Sequence, residues 1–95
     1  MRRAAKVDTT HGEVMDALRK TAIAAWSTAQ LGAGFPDILA CPSWNPKVMV
    51  LLEVKTPGKG LNAAQVAFRE KWPGLVFTVE SGEEAVEAVV EAARK

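Results

Sequence analysis

The stretch that decides the fold is GFPDILACPSWNPKVMVLLEVK, residues 34–55. Within it, residues 38–41 and residues 48–54 are short segments of apolar and β-branched side chains, which are typical of strands. The segment between them, residues 42–47, is rich in Pro, Ser and Asn, which favour turns. The sequence therefore predicts an antiparallel hairpin.

Three charged residues flank this predicted hairpin: Asp37 precedes the first strand, and Glu53 and Lys55 end the second. If the hairpin is centred on Asn45, Asp37 lies directly opposite Glu53, and Lys55 projects from the same face because strand side chains alternate. Two facing carboxylates repel each other, so we expect a cation between them. Oxygen ligands of this kind suit Mg²⁺ or Mn²⁺. A register shifted by one residue would place the two carboxylates on opposite faces.

Each of these motifs also has a structural explanation. Asp37 can be a turn residue that follows Pro36, and Glu53 with Lys55 can be an ordinary surface ion pair. The two motifs occur together at hairpin spacing, however, and the second closes an uncharged run at residues 48–52. Because burying charged groups is costly, this combination favours a functional site.

The order and spacing of these motifs resemble a known family. Residues 34–37 (GFPD) are followed after fifteen intervening residues by residues 53–55 (EVK), and Gln65 then stands at the start of a predicted helix. This pattern resembles the PD-(D/E)XK nuclease superfamily, and within it the VRR-Nuc (virus-type replication-repair nuclease) branch. The resemblance covers nearly the whole chain. It implies a restriction-endonuclease-like fold and a metal-dependent nuclease that hydrolyses DNA phosphodiester bonds.

The resemblance also implies roles for individual residues. Asp37, Glu53, Lys55 and Gln65 would be the catalytic residues. Asp37, Glu53 and the backbone carbonyl of Val54 would hold one or two Mg²⁺ or Mn²⁺ ions, with no small-molecule cofactor. Lys55 would position the nucleophile or stabilise charge in the transition state, and Gln65 would orient water or a phosphate.

The first helix is predicted over residues 10–21, because Thr10 and Glu13 have the spacing of a capping box. Glu13 therefore has a structural explanation as the partner of Thr10. The resembled family carries an acidic residue in its first helix that reaches the metal, so Glu13 is also a candidate metal ligand. His11 would be a solvated residue of the first turn or an auxiliary residue of the site.

Three further residues are candidate nucleic-acid contacts. Lys59, in a loop rich in Gly and Pro, is either a phosphate contact or a solvated lysine. Gly34 and Gly32 follow a strand predicted over residues 23–30, and they would let backbone, metal or phosphate approach closely or serve as plain turn residues. Arg19 belongs to a basic group late in the first helix.

The second half of the chain predicts a helix, a strand and a helix. Asn62 and Gln65 have the spacing of a capping box, which gives Gln65 a structural explanation as well. This helix should end at residues 72–74, a strand should follow over residues 75–79, and Ser81 should begin the last helix. The predicted order is α-β-β-β-α-β-α. We expect an α/β fold with a mixed four-stranded sheet, in which a crossover joins the last two strands in parallel.

Composition fits a single soluble domain that covers residues 1–95. The chain has 48% apolar and 24% charged residues, and residues 1–8 are expected to form a flexible basic arm. It lacks an apolar run long enough for a membrane and an apolar stretch after the N-terminal charges that would signal secretion. The single cysteine, Cys41, cannot form an internal disulfide, so we expect a reduced, cytoplasmic protein. The family resemblance implies that the cell is a bacterium or a phage-infected host. One Cys and one His also argue against a Cys/His zinc site.

The net charge of +1 is low for a nucleic-acid-binding protein, but charges of each sign are grouped. Basic residues lie near the N-terminus, late in the first helix and beside the proposed site, whereas acidic residues gather in the last segment.

The function that the family resemblance predicts is a structure-selective endonuclease for branched or junction DNA. A domain this small has little surface for such a substrate, so a homodimer is expected, with Trp44 as a candidate interface residue.

Two other functions remain open from the sequence. One is a nucleic-acid-binding module that kept the nuclease fold without the chemistry, against which the intact set of four site residues argues. The other is a subunit-interaction domain without a nucleic-acid role, which only the near-neutral charge supports. The choice between DNA and RNA, and between endonuclease and exonuclease action, cannot be read from these residues.

Overall fold

The three helices and four strands follow the predicted order. The computed structural model describes residues 4–94, with side chains from Thr10 onward. The elements are α1 (Ala4–Lys20), β1 (Ile23–Ser27), β2 (Ile38–Pro42), β3 (Val50–Val54), α2 (Ala63–Lys71), β4 (Leu75–Val79) and α3 (Gly82–Ala93), with a short 3₁₀ turn at Ala29–Leu31. Together they form an α/β domain with one sheet.

The sheet has the strand order β1-β2-β3-β4 and is mixed, as predicted. β1 with β2 and β2 with β3 are antiparallel, whereas β3 with β4 is parallel, with α2 in the connection. The hairpin register pairs Ile38 with Leu52 and Ala40 with Val50, which corresponds to a hairpin centred on Asn45. The predicted register is therefore confirmed, and Asp37 takes the next place along, opposite Glu53.

One face of the sheet, here called the core face, carries the hydrophobic core. The side chains of alternate residues on β2 and β3, including Ile38 and Leu52, are buried there against α1 and α3. The two helices also pack on each other through small and branched residues such as Val14 and Val89. Because successive side chains of a strand point to opposite faces, the intervening residues, including the buried Leu51 and Glu53 of β3, project from the opposite face.

The opposite face is partly covered by α2. Gln65 contacts Glu53 on β3, and Arg69 contacts Thr78 on β4, so this helix lies over the β3–β4 side of the sheet. An aromatic cluster of Phe35, Phe68 and Trp72 fixes the helix to the loop before β2, with ring centroids 5.1–6.4 Å apart. α2 therefore covers part of the face from which Glu53 projects.

Three predicted element boundaries were wrong. α1 begins at Ala4 rather than at Thr10, so Thr10 lies inside the helix and is not an N-cap. The Ala-rich segment before it favours helix and extends α1 toward the N-terminus. Residues 4–8 of the predicted flexible arm are helical, and residues 1–3 lie outside the described part. β1 ends at Ser27, because residues 29–31 form the 3₁₀ turn, and β3 begins at Val50.

Two predicted caps are present. The Asn62 side chain accepts a hydrogen bond from the Gln65 N–H, and α3 begins after Ser81, whose side chain accepts from the Glu84 N–H. The Glu84 carboxylate, in turn, accepts from the Glu80 N–H at 2.7 Å rather than from Ser81. Within residues 4–94, none of the helices combines the length and the apolar character needed to cross a membrane.

Candidate functional site

Asp37 is held in place at the point where two strand ladders end. Its N–H donates to the Leu52 carbonyl at 2.9 Å, and its own carbonyl accepts from the Thr28 N–H at 2.7 Å. The carboxylate oxygen Oδ2 accepts from the Val54 N–H at 2.8 Å. Backbone and side chain are thus both anchored, and the carboxyl group lies within hydrogen-bond range of the Glu53 carboxyl group.

Glu53 is buried, with only 3% of its surface exposed. Burial, followed by the hydrogen bond and the negative charge of Asp37, raises the pKa of Glu53 to about 8. The cations Lys55 and Arg69 act in the opposite direction and lower this pKa. Without a bound cation, Glu53 therefore retains a proton in most molecules at neutral pH. A buried acid of this kind, facing a second acid, is typical of functional sites.

Gln65 caps α2 as predicted and also contacts Glu53. Its Oε1 accepts from the Asn62 N–H at 2.9 Å, which completes the capping box of α2. Its Nε2 donates to Oε2 of Glu53 at 2.8 Å. The cap thus fixes the side-chain amide in the orientation that presents a donor to the carboxylate.

Lys55 and Val54 lie at the end of β3. The Lys55 N–H donates to the Val79 carbonyl at 2.9 Å, which continues the parallel ladder with β4. Since backbone groups of successive strand residues point to alternate sides, Val54 directs its N–H and its carbonyl toward β2 and Asp37. The half-buried Lys55 side chain is close enough to Glu53 to lower its pKa. The structure therefore places Val54 beside Asp37 and Lys55 beside Glu53.

Arg69 is a site residue that the sequence analysis missed. It lies one helical turn after Gln65, its guanidinium hydrogen-bonds to Oγ1 of Thr78, and its charge acts on Glu53. The spacing of four residues from Gln65 places both side chains on one face of α2, and this was the signal that could have revealed it. The charges of both Lys55 and Arg69 therefore act on Glu53 and lower its pKa.

A recess of about 230 Å³ opens beside Asp37 and Lys55. Its other walls come from the end of β1, the 3₁₀ turn, the end of β3 and α1, through Thr10, His11, Ser27, Ala29, Gln30, Val54 and Thr56. Thr10 and His11 are thus the residues by which α1 reaches the site. The exposed Glu13, which was predicted as a further metal ligand, is not among the residues of the recess. Its carbonyl instead lies against Gly82 at the start of α3.

The three candidate nucleic-acid contacts have different surroundings. Gly34 has a φ of +83°, and a Cβ at this position would lie 2.2 Å from the Ala64 carbonyl oxygen, so the glycine permits close packing of the loop on α2. Lys59 is exposed in the loop before α2. Arg19 donates from Nη2 to the Ala25 carbonyl at 3.2 Å, beside β1.

Other surface features lie apart from these residues. Trp44, the candidate interface residue, is 51% exposed in the turn at the opposite end of the hairpin from Asp37. A larger groove of about 820 Å³ lies between β4 and α3, with Leu75, Phe77 and Val90 among its apolar walls. None of the predicted site residues lines this groove.

The donor set at the end of β3 suits a hard divalent cation. Two carboxylates and the Val54 carbonyl offer oxygen only, and Glu53 binds a proton where its charge is not otherwise balanced. Among the side chains that the structure describes, those of residues 10–94, no group of three or more His, Cys, Asp or Glu is placed to hold a metal ion. The oxygen donors present are of the kind that Mg²⁺ and Mn²⁺ prefer.

Comparison with known proteins gives no match: neither a protein-family model, nor a curated protein, nor a solved structure matches this chain.

Proposed function

We propose that this protein is a metal-dependent deoxyribonuclease with a restriction-endonuclease-like fold of the PD-(D/E)XK superfamily, most similar to its VRR-Nuc branch. The observation that carries the proposal is the pair of facing carboxylates, the half-buried Asp37 and the buried Glu53, with Lys55 beside it and Gln65 bonded to Glu53. Such a pair costs stability in the absence of a cation, and the sequence places a complete set of groups for phosphodiester hydrolysis around it.

The metal would be held by Asp37, Glu53 and the carbonyl of Val54. A Mg²⁺ or Mn²⁺ ion bound there would supply Lewis-acid activation of the phosphate and of an attacking water. The Val54 N–H fixes the Asp37 carboxylate, and the Gln65 amide fixes that of Glu53. Both ligands are therefore oriented before the cation binds.

The chain's cations would act on the substrate. Lys55 lines the recess beside Asp37, where its ammonium group would orient the attacking water or stabilise negative charge on the phosphate in the transition state. Arg69 also offsets the charge of Glu53. The recess has room for a phosphodiester group, with Thr10, His11 and Thr56 in its walls.

The substrate we propose is branched or junction DNA, cut by a homodimer in the cytoplasm of a bacterium or a phage-infected cell. A single domain of this size offers a small binding surface, and two copies would present two sites. Exposed apolar residues such as Trp44, together with the groove between β4 and α3, provide surfaces on which two copies could associate.

A cleavage assay on purified protein tests the activity. Labelled single-stranded, duplex, flap and four-way-junction DNA would be incubated at low salt with Mg²⁺, Mn²⁺ or EDTA. We expect metal-dependent cutting that falls by roughly 10²- to 10⁴-fold in Glu53→Gln, Asp37→Asn and Lys55→Ala. Lys47→Ala, at the opposite end of the hairpin, and Glu87→Gln, exposed on α3, are matched controls that should cut normally.

The other functions predict different results. A nucleic-acid-binding module would bind these DNAs in EDTA and cut none of them with metal. A subunit-interaction domain would neither bind nor cut. Full activity of Glu53→Gln would show that cutting by the preparation does not come from this site.

A further inference from the structure

Trp26 holds its indole ring in solvent on the strand next to the candidate site. It is 74% exposed, more than any other large apolar side chain described, although it lies in the middle of β1. Its neighbours Ile23 and Ala25 are buried on the core face, so Trp26 projects from the opposite face. That is the face from which Glu53 projects.

The strand register places Trp26 close to Asp37. Trp26 pairs with Leu39 on β2. Beyond the end of β1, the hydrogen bond from the Thr28 N–H to the Asp37 carbonyl continues this ladder, so Thr28 lies opposite Asp37. Trp26 is thus a diagonal neighbour of Asp37, at a distance of about 7–8 Å between backbone positions. The exposed ring and the half-buried Asp37 therefore lie on the same face of the sheet.

A cation lies at the free edge of the same strand. The Thr28 N–H and the Ala22 carbonyl both form hydrogen bonds to β2 or its continuation. The backbone groups of even-numbered residues on β1 therefore point toward β2, and the carbonyl of Ala25 points away from the sheet. The guanidinium of Arg19 donates to this outward carbonyl at 3.2 Å. The carbonyl of Ala25, the residue before Trp26, thus holds the positive charge of Arg19 at the edge of β1.

We propose that Trp26 is a stacking platform for an unpaired base of the DNA substrate. An aromatic face beside a cation is the combination by which proteins bind single strands, since each base offers a π-face and each phosphate a charge. In an intact duplex both faces of a base are already stacked. The proposal rests on the proposed nuclease function and gives its substrate class: DNA with a single-stranded segment next to the scissile phosphate.

Binding and cutting are measured separately to test this. Fluorescence anisotropy in EDTA would report the affinity for a labelled single-stranded oligothymidylate and for a blunt duplex, with no cutting. We expect Trp26→Ala to bind the single strand about 5- to 100-fold more weakly, Trp26→Phe to retain most of the affinity, and duplex binding to change little. Met49→Ala is the control, since it removes another exposed large apolar side chain, at the other end of the hairpin, and it should bind normally.

The outcomes separate this proposal from the nuclease function. Unchanged single-strand binding by Trp26→Ala overturns the stacking role, and metal-dependent cutting by the unaltered protein would then still support the nuclease. Trp26-dependent binding of single strands without any cutting supports stacking and overturns the nuclease. If light scattering instead shows that Trp26→Ala dissociates a dimer while its single-strand binding is unchanged, the ring contacts a second copy and stacking is excluded.

Discussion

Gln65 donates a hydrogen bond from Nε2 to Oε2 of Glu53 at 2.8 Å, while its Oε1 accepts from the Asn62 N–H at 2.9 Å. One side chain therefore starts helix α2 and orients a buried carboxylate on β3. A residue that caps a helix is expected to affect stability, and one that positions a metal ligand is expected to affect activity. The two contributions can be separated by substitution.

Gln65→Glu should lower metal-dependent cleavage by about 10- to 100-fold with little loss of stability. A glutamate at this position can still accept from the Asn62 N–H and keep the capping box. It has no N–H to donate, and its charge would repel Glu53. Cleavage rates and thermal unfolding would be measured on the same preparations.

Ser81→Ala is the matched control, because Ser81 caps α3 away from the site and accepts from the Glu84 N–H at 3.1 Å. It should cost about 1 kcal/mol of unfolding free energy and leave cleavage unchanged. Equal loss of activity in the two variants would mean that Gln65 acts only through helix stability.

The raised pKa of Glu53 predicts how stability depends on pH. Folding raises this pKa from 4.5 to about 8, so the native state binds more protons than the unfolded state between these values. Stability is then fully present below the unfolded pKa and is lost as the pH rises through the native pKa. In EDTA we expect the unfolding free energy contributed by Glu53 to fall by on the order of 3 kcal/mol between pH 5 and pH 8.

Glu53→Gln should remove this pH dependence, because the amide cannot ionise and can occupy nearly the same volume. Urea unfolding of both proteins would be measured at several pH values. The unfolding free energy of the variant, relative to that of the parent protein, should increase as the pH rises. Glu87→Gln, on the exposed face of α3, should follow the parent protein. Parallel curves for the parent protein and Glu53→Gln would show that Glu53 is ionised throughout.

A divalent cation should reverse the loss of stability at high pH. Mg²⁺ or Mn²⁺ binds the ionised carboxylates, so the melting temperature at pH 8 should rise with metal concentration and the rise should be smaller at pH 5. A cation at one hundred times its dissociation constant stabilises by about 2.7 kcal/mol. Asp37→Asn and Glu53→Gln should lose most of this response, and Na⁺ at equal ionic strength is the control. A response of equal size in these variants would place the cation elsewhere.

The hairpin and the cap of α2 could be predicted because local sequence determines them. The turn residues around Asn45 fix the register, and the register alone sets Asp37 opposite Glu53. The pair Asn62 and Gln65 is a local signal of the same kind. Chain order and the mixed sheet follow from loop lengths and apolar periodicity.

The residues that the helices contribute to the site could not be predicted from local sequence. Thr10 resembled an N-cap, but the alanines before it extend α1. Which residues of α1 reach the recess depends on how the helix crosses the sheet, and the structure brings Thr10 and His11 there in place of Glu13. Arg69 reaches Glu53 only because α2 packs over β3 and β4.

Gly34→Ala should lower both stability and activity, because Gly34 lets the loop before Asp37 pack on α2. The new Cβ would lie 2.2 Å from the Ala64 carbonyl oxygen and 3.0 Å from the backbone nitrogen of Gln65, and the φ angle of Gly34 is +83°. The backbone strain costs about 1 kcal/mol, and the clash must also displace the first turn of α2, which carries Gln65. We expect a loss of more than 2 kcal/mol in urea unfolding and at least a tenfold loss of cleavage.

Gly58→Ala separates strain from contact in this test. Gly58 has a φ of +91° in the loop before α2, but a Cβ there would meet nothing within 4 Å. Its alanine variant therefore carries the backbone strain alone and should lose about 1 kcal/mol while cleavage stays normal. If the two variants lose equal stability and both cut normally, α2 does not depend on Gly34 for its position over Glu53.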